Sequence, residues 1–143
     1  MAQVKEIPIT TLSRKALDLF LSGRNQLDVA DAEAAQNLFE KAVLKDPDFA
    51  MAYLLRLYSG GGYNVCRQNL DKAVRLINKI SVGEKLMILY EQASADGTGQ
   101  KQKQYLDELL NSFPSDNRVQ VSAGWYYLSF GDFPKAIFYF TKA

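Results

Sequence analysis

The feature that most constrains this chain is a spaced residue set that it carries twice. Ala35-x3-Phe39-x2-Ala42 returns as Ala136-x3-Phe140-x2-Ala143, at an offset of 101. Gly23 and Gly124 share that offset, and Pro47 and Pro114 lie 67 apart. These distances are about three and two times a period of ~34 residues, the length of a helix–turn–helix unit. The anchors put unit starts near Ala16, Ala50, Gly83 and Asn117. One such unit cannot bury its apolar face alone, so neighbours must stack.

The local pattern agrees with helices throughout. Apolar residues recur at three-and-four spacing over 13–29 (Ala16, Leu19, Phe20, Gly23, Leu27) and 31–45 (Ala35, Leu38, Phe39, Ala42). Ser13 and Asp31 stand where N-caps belong. Further helices are predicted over 50–59, 67–80, 82–96, 100–112, 117–130 and 133–143. The breaks between them include Asp46-Pro47-Asp48, Gly60-Gly61-Gly62, Gly97-Thr98-Gly99, Phe113-Pro114 and Gly131-Asp132. No stretch alternates with period two, so strands are not expected. Short connections imply antiparallel neighbours.

The pattern resembles the tetratricopeptide repeat. The last unit matches best, with Gly124-x2-Tyr127, Gly131-Asp132-Phe133 and Ala136-x3-Phe140-x2-Ala143. The first unit carries Gly23, Ala35, Phe39, Ala42 and Asp46-Pro47. The middle units are degenerate: Ala73 alone marks the second helix of one, and Tyr90 and Gln102 replace small residues in the other. The resemblance implies an all-α fold, a right-handed superhelical solenoid of about four antiparallel helix pairs. The implied layout is a leader at 1–12 and a repeat domain at 13–143, with units near 16–49, 50–82, 83–116 and an incomplete 117–143. Two expectations follow for the last unit: a piece of a longer array, or an open end that pairs with another chain, leaving Tyr127, Ile137, Phe138 and Phe140 partly uncovered.

In that family the first helices line a concave groove. Carried onto this register, the groove residues are Phe20, Arg24 and Leu27, then Met51 and Tyr58, then Met87 and Glu91, then Arg118, Trp125 and Leu128. Leu17, Leu54, Ser94 and Val121 share the face, and Leu17, Leu54 and Val121 read equally well as core. Aromatic, Met and Arg residues are favoured at interfaces, so an apolar peptide or helix is the expected ligand. Some family members hold a peptide C-terminal carboxylate with basic residues. Those places here hold Phe20, Arg24, Leu55, Glu84 and Ile88, of which only Arg24 is basic, so that clamp is not expected.

Composition narrows the chemistry. The chain has no His and one Cys. That excludes a Ser-His-Asp triad, a Cys-His pair and an HExxH zinc site, and it leaves no intrachain disulfide. Gly60-Gly61-Gly62 lacks the Lys-Ser/Thr of a phosphate loop and reads as a lengthened turn. Cys66 beside Arg67 has no catalytic partner. The carboxylates Asp46, Asp48, Asp71, Glu84 and Asp107 read as caps near helix ends. No cofactor, metal or catalytic residue is expected, and the chain reads as a non-enzymatic scaffold that binds a protein or peptide. A self-associating assembly module and a regulatory segment of a longer protein are the alternatives. A net charge of +1 carries no basic stripe for nucleic acid. No apolar run reaches the roughly 18–20 residues of a membrane span. Residues 1–11 lack a signal peptide, which points to the cytoplasm as the sequence stands. The run Pro8-Ile9-Thr10-Thr11 is similar to the start of mature exported bacterial repeat proteins, which keeps an envelope location open if a signal was removed. The leader itself is expected to be flexible.

Overall fold

A computed structural model describes residues 5–143, which hold eight α-helices and no strand. These are α1 (Arg14–Asp28), α2 (Ala32–Lys45), α3 (Ala50–Leu55), α4 (Gly62–Arg75), α5 (Val82–Ala95), α6 (Gly99–Ser112), α7 (Asn117–Ser129) and α8 (Phe133–Lys142). Short 3₁₀ turns occupy Arg56–Ser59 and Ile77–Lys79. The expected helices are present, with one shift. Gly60, Gly61 and Gly62 take φ of +97°, +111° and +77°, values that only glycine adopts without strain. The chain therefore reverses within three residues, and α4 begins five residues before its expected start.

The repeat is written into the turns. Asp31 N–H reaches Gln26 O at 2.9 Å while Ala30 N–H reaches Leu27 O at 3.0 Å. Thr98 and Gly97 repeat those bonds on Ala93 and Ser94, and Asp132 and Gly131 repeat them on Tyr127 and Leu128. This is the Schellman ending, which needs a left-handed residue just past the helix. Ala30, Gly97 and Gly131 supply it at φ of +61°, +71° and +74°. Asp31 and Asp132 then cap the following helices, their carboxylates accepting from Ala34 N–H at 3.0 Å and Lys135 N–H at 3.2 Å.

The chain divides into two compact units, with the boundary inside α5. The first unit is Ile9–Ile88. Here α1 packs on α2, and α2 on α3. Phe20, Phe39 and Phe49 are fully buried together, Phe20 lying 5.8 Å from Phe39 and 4.9 Å from Phe49 between ring centroids. Gly23 makes the helix approach possible, since a Cβ there would sit 2.7 Å from the Phe39 ring. Every residue of α3 is buried.

The second unit joins the described residues up to Pro8 to Leu89–Ala143. In it α7 packs on α8. A Cβ on Gly124 would sit 2.5 Å from the Phe140 ring, the counterpart of the Gly23–Phe39 contact. Tyr127 is buried, contrary to expectation, because its ring stacks on Tyr139 at 5.5 Å and 6°.

The leader is held rather than loose. Residues 1–4 of it lie outside the described residues. In the first unit, Thr10 donates its N–H at 3.1 Å and its hydroxyl at 2.5 Å to the fully buried Glu84 carboxylate. Glu84 also accepts Ser81 N–H at 3.0 Å, and Ser81 Oγ accepts Glu84 N–H, a capping box at the start of α5. The Thr11 hydroxyl donates to Asp46. In the second unit, buried Ile7 donates its N–H to Asp116 at 2.8 Å, on the carboxylate that caps α7 through Arg118 and Val119. A sequence reading has no means to see these bonds, because each joins residues far apart in the chain. Asp71 and Asp107 are not caps. They sit within α4 and α6 and pair with Arg67 and Lys103 one turn earlier.

Candidate functional site

The groove residues expected from the register fall into three groups. Phe20, Met51 and Met87 are buried in the core. Phe20 is covered by Phe49, and Met51 belongs to a helix with no exposed side. Leu54 is likewise fully buried. Arg24, Leu27, Glu91 and Arg118 are half-buried. The Arg24 guanidinium lies 5.8 Å from the Phe20 ring centroid, a cation–π distance. Tyr58, Trp125 and Leu128 are exposed, as are Val121 and Ser94. Tyr58 and Trp125 therefore remain the aromatic side chains of this set that a partner can reach.

In the second unit the exposed apolar residues are concentrated on two neighbouring helices, α7 and α8. Along α8, Phe133, Ile137 and Phe140 stand at i, i+4 and i+7, one stripe of the helix. Their exposures are 59%, 65% and 36%. On α7, Trp125 (61%) meets Phe140 edge-on, with ring centroids 5.4 Å apart. Val121 and Leu128 lie one turn either side of Trp125 and are also exposed. These six side chains carry no charge, and half-buried Arg118 stands one turn before Val121 on the same side of α7. The nearby ammonium groups are turned onto other rings: Lys135 sits 5.0 Å from the Tyr127 centroid and Lys142 sits 5.8 Å from that of Phe138. Phe130, also exposed, was not singled out in the sequence, and Phe133 stood there only as part of the Gly131-Asp132-Phe133 turn. Their signal was present, since large apolar residues flank the exposed Gly131 turn on both sides.

A shallow depression of about 490 Å³ lies beside this region, lined by Gly99, Gln100, Lys103, Gln104, Tyr126 and Phe130. Lys103 is committed to Asp107 at 2.6 Å and 2.8 Å, and that pairing raises its pKa above the usual lysine value. Burial, reinforced by the Glu91 charge, pushes the Tyr90 hydroxyl up to about 12. Among the described residues, no three His, Cys, Asp or Glu side chains cluster as metal ligands would. Cys66 is half-buried, its Sγ 3.9 Å from Leu57 O. No helix of the described residues is long and apolar enough to cross a membrane.

No family model matches the chain, and no curated protein matches it. Among solved structures, a crystal structure of MamA is similar, at 20% identity and a TM-score of 0.46, over 89% of this chain and 75% of that one. A likeness at that level carries no argument about function, which rests on the residues of this chain.

Proposed function

We propose that this chain is a non-enzymatic protein-interaction scaffold. Residues 13–143 form a tetratricopeptide-like array whose helix pairs stack into a superhelical solenoid, and its apolar groove takes a peptide or helix of a protein partner. The observation that carries this reading is the exposed apolar and aromatic surface around Trp125, in a chain whose helix-pair turns repeat one geometry. Large apolar patches rimmed by polar residues mark interaction sites. Arg24, Leu27 and Tyr58 are the accessible groove residues of the first unit; Glu91, Arg118, Trp125 and Leu128 are those of the second.

The test is affinity capture from native extract with the wild-type chain, beside Tyr58→Ala, Trp125→Ala and the double variant, each checked for helicity. A partner retained by the wild type and weakened at least ~10-fold by the double variant supports the groove, since aromatic anchors cost about 2 kcal/mol or more when truncated. Equal capture by all four proteins overturns it. The single variants then say which unit contributes more.

A further inference from the structure

The segment ahead of α1 is held as a peptide ligand would be. Residues 5–13 contain no helix or strand. Within the first unit, Thr10 gives Glu84 two donors, its N–H at 3.1 Å and its hydroxyl at 2.5 Å, and the Thr11 hydroxyl donates to Asp46. An N–H and a hydroxyl are what any extended Thr or Ser residue offers, so these bonds are not special to a segment of the same chain. Glu84 is fully buried, whereas Ile9, Thr10 and Thr11 are half-buried. The carboxylate therefore lies beneath the segment, and the segment faces water. A buried carboxylate must keep its donors, because an unpaired charge is costly there. Glu84 also stands on the groove side of its helix. Glu84, Met87 and Glu91 lie at i, i+3 and i+7 of α5, one face, and Met87 and Glu91 belong to the groove register.

We infer that residues 9–11 are a built-in competitor on the proposed groove. They fill a subsite at Glu84 that takes an extended peptide with an N–H and a hydroxyl to donate, and a partner segment of that kind binds there by displacing them. This inference rests on the groove reading above. The acidic side chain sets the preference: it selects a donor-bearing Thr or Ser and repels an acidic residue at that place. Tethering sets the strength. A segment joined to its site by a short stretch of chain faces it at an effective concentration of order millimolar, so it excludes a free peptide of equal intrinsic affinity below that level. Loosening the hold of Thr10 on Glu84 opens the subsite.

The experiment titrates a synthetic peptide of residues 5–12, to about 5 mM, into the full chain as wild type, Thr10→Val and Thr10→Ser. NMR follows the Ser81 and Glu84 amides for binding and the residue-10 amide for hydrogen exchange. Thr10→Val removes the hydroxyl and keeps the shape, while Thr10→Ser keeps the hydroxyl. Protection of the residue-10 amide is expected to fall at least ~10-fold in Thr10→Val, the effect of losing one bond to a charged acceptor, and to stay near wild type in Thr10→Ser. The peptide should bind Thr10→Val at least ~10-fold more tightly than wild type. In the wild type, excess peptide should speed exchange of the chain's own Thr10 amide, which a purely structural segment does not show. Absence of peptide binding by a helical Thr10→Val chain overturns the proposal, as does equal binding by all three chains. If Thr10→Val loses helicity, the wild-type response to peptide decides alone. The probe needs no partner, so the two readings fail separately. Peptide competition at Glu84 alongside capture indifferent to Tyr58 and Trp125 removes the groove reading and leaves the subsite. Capture that depends on them, without peptide competition, removes the subsite alone.

Discussion

The first and last helix pairs carry the same signature and meet different fates. Gly23 on Phe39 and Gly124 on Phe140 are matched contacts, and so are the Asp31 and Asp132 caps. Phe39 is fully buried because α3 lies over it, whereas Phe140 keeps a third of its surface open. The shared residues encode how closely two helices of a pair approach. They do not encode what covers the pair afterwards.

Truncating the matched phenylalanines should separate the pairs most. Phe39→Ala opens a cavity in a closed core and is expected to cost about 3–5 kcal/mol; Phe140→Ala, already part-solvated, about 1 kcal/mol. Urea unfolding of both variants measures the gap, and equal losses would erase the distinction between a covered and an open pair.

The third pair has Tyr90 where the other two have Gly23 and Gly124. Its ring is buried and its hydroxyl is held at about 12, while an unfolded tyrosine ionises near 10. The folded chain therefore binds more protons in this window. The associated stability is present below pH ~10 and is lost as pH rises toward 12, by up to about 2–3 kcal/mol. Unfolding followed across that range should show the decline, and Tyr90→Phe should reduce it, the remainder coming from Tyr53, Tyr126 and Tyr139, whose hydroxyls burial also raises.

Adding one methyl probes how far each pair can yield. Gly23→Ala drives a Cβ into a ring that has no room to move, at an expected cost of about 2–3 kcal/mol. Gly124→Ala meets a ring that can swing toward solvent, so less than ~1 kcal/mol is expected. Thermal midpoints of the two variants test this ordering. The smallest effect lies at the turns. Ala30→Gly should stabilise and Gly131→Ala destabilise, each by ~1 kcal/mol or less, because both positions sit at positive φ. Movement in the same direction would deny that the two turns are equivalent.

Much of this organisation was legible beforehand. Ala-x3-Phe-x2-Ala and the glycines 101 residues apart placed the helix pairs, because close helix packing demands small residues at one fixed spacing. Ser13 and Asp31 announced two helix starts through short-range capping bonds. The site was less legible. Phe20, Met51 and Met87 looked like groove residues because helical periodicity marks a face as apolar without saying whether another element lies on it. Trp125 and Tyr58 had the same signature and are exposed. The leader was misjudged for a related reason. Thr10 and Ile7 are secured by Glu84 and Asp116, partners 74 and 109 residues away.

The sequence by itself determined what is local: the helices, their caps, the left-handed turns and the Gly–Phe approach within each pair. These depend on residues a few positions apart, whose geometry follows from backbone sterics and helical periodicity. Only the tertiary structure decided burial. Phe20 and Phe39 are sealed because α3 brings Phe49 onto them, and no short-range pattern in α1 or α2 records that arrival.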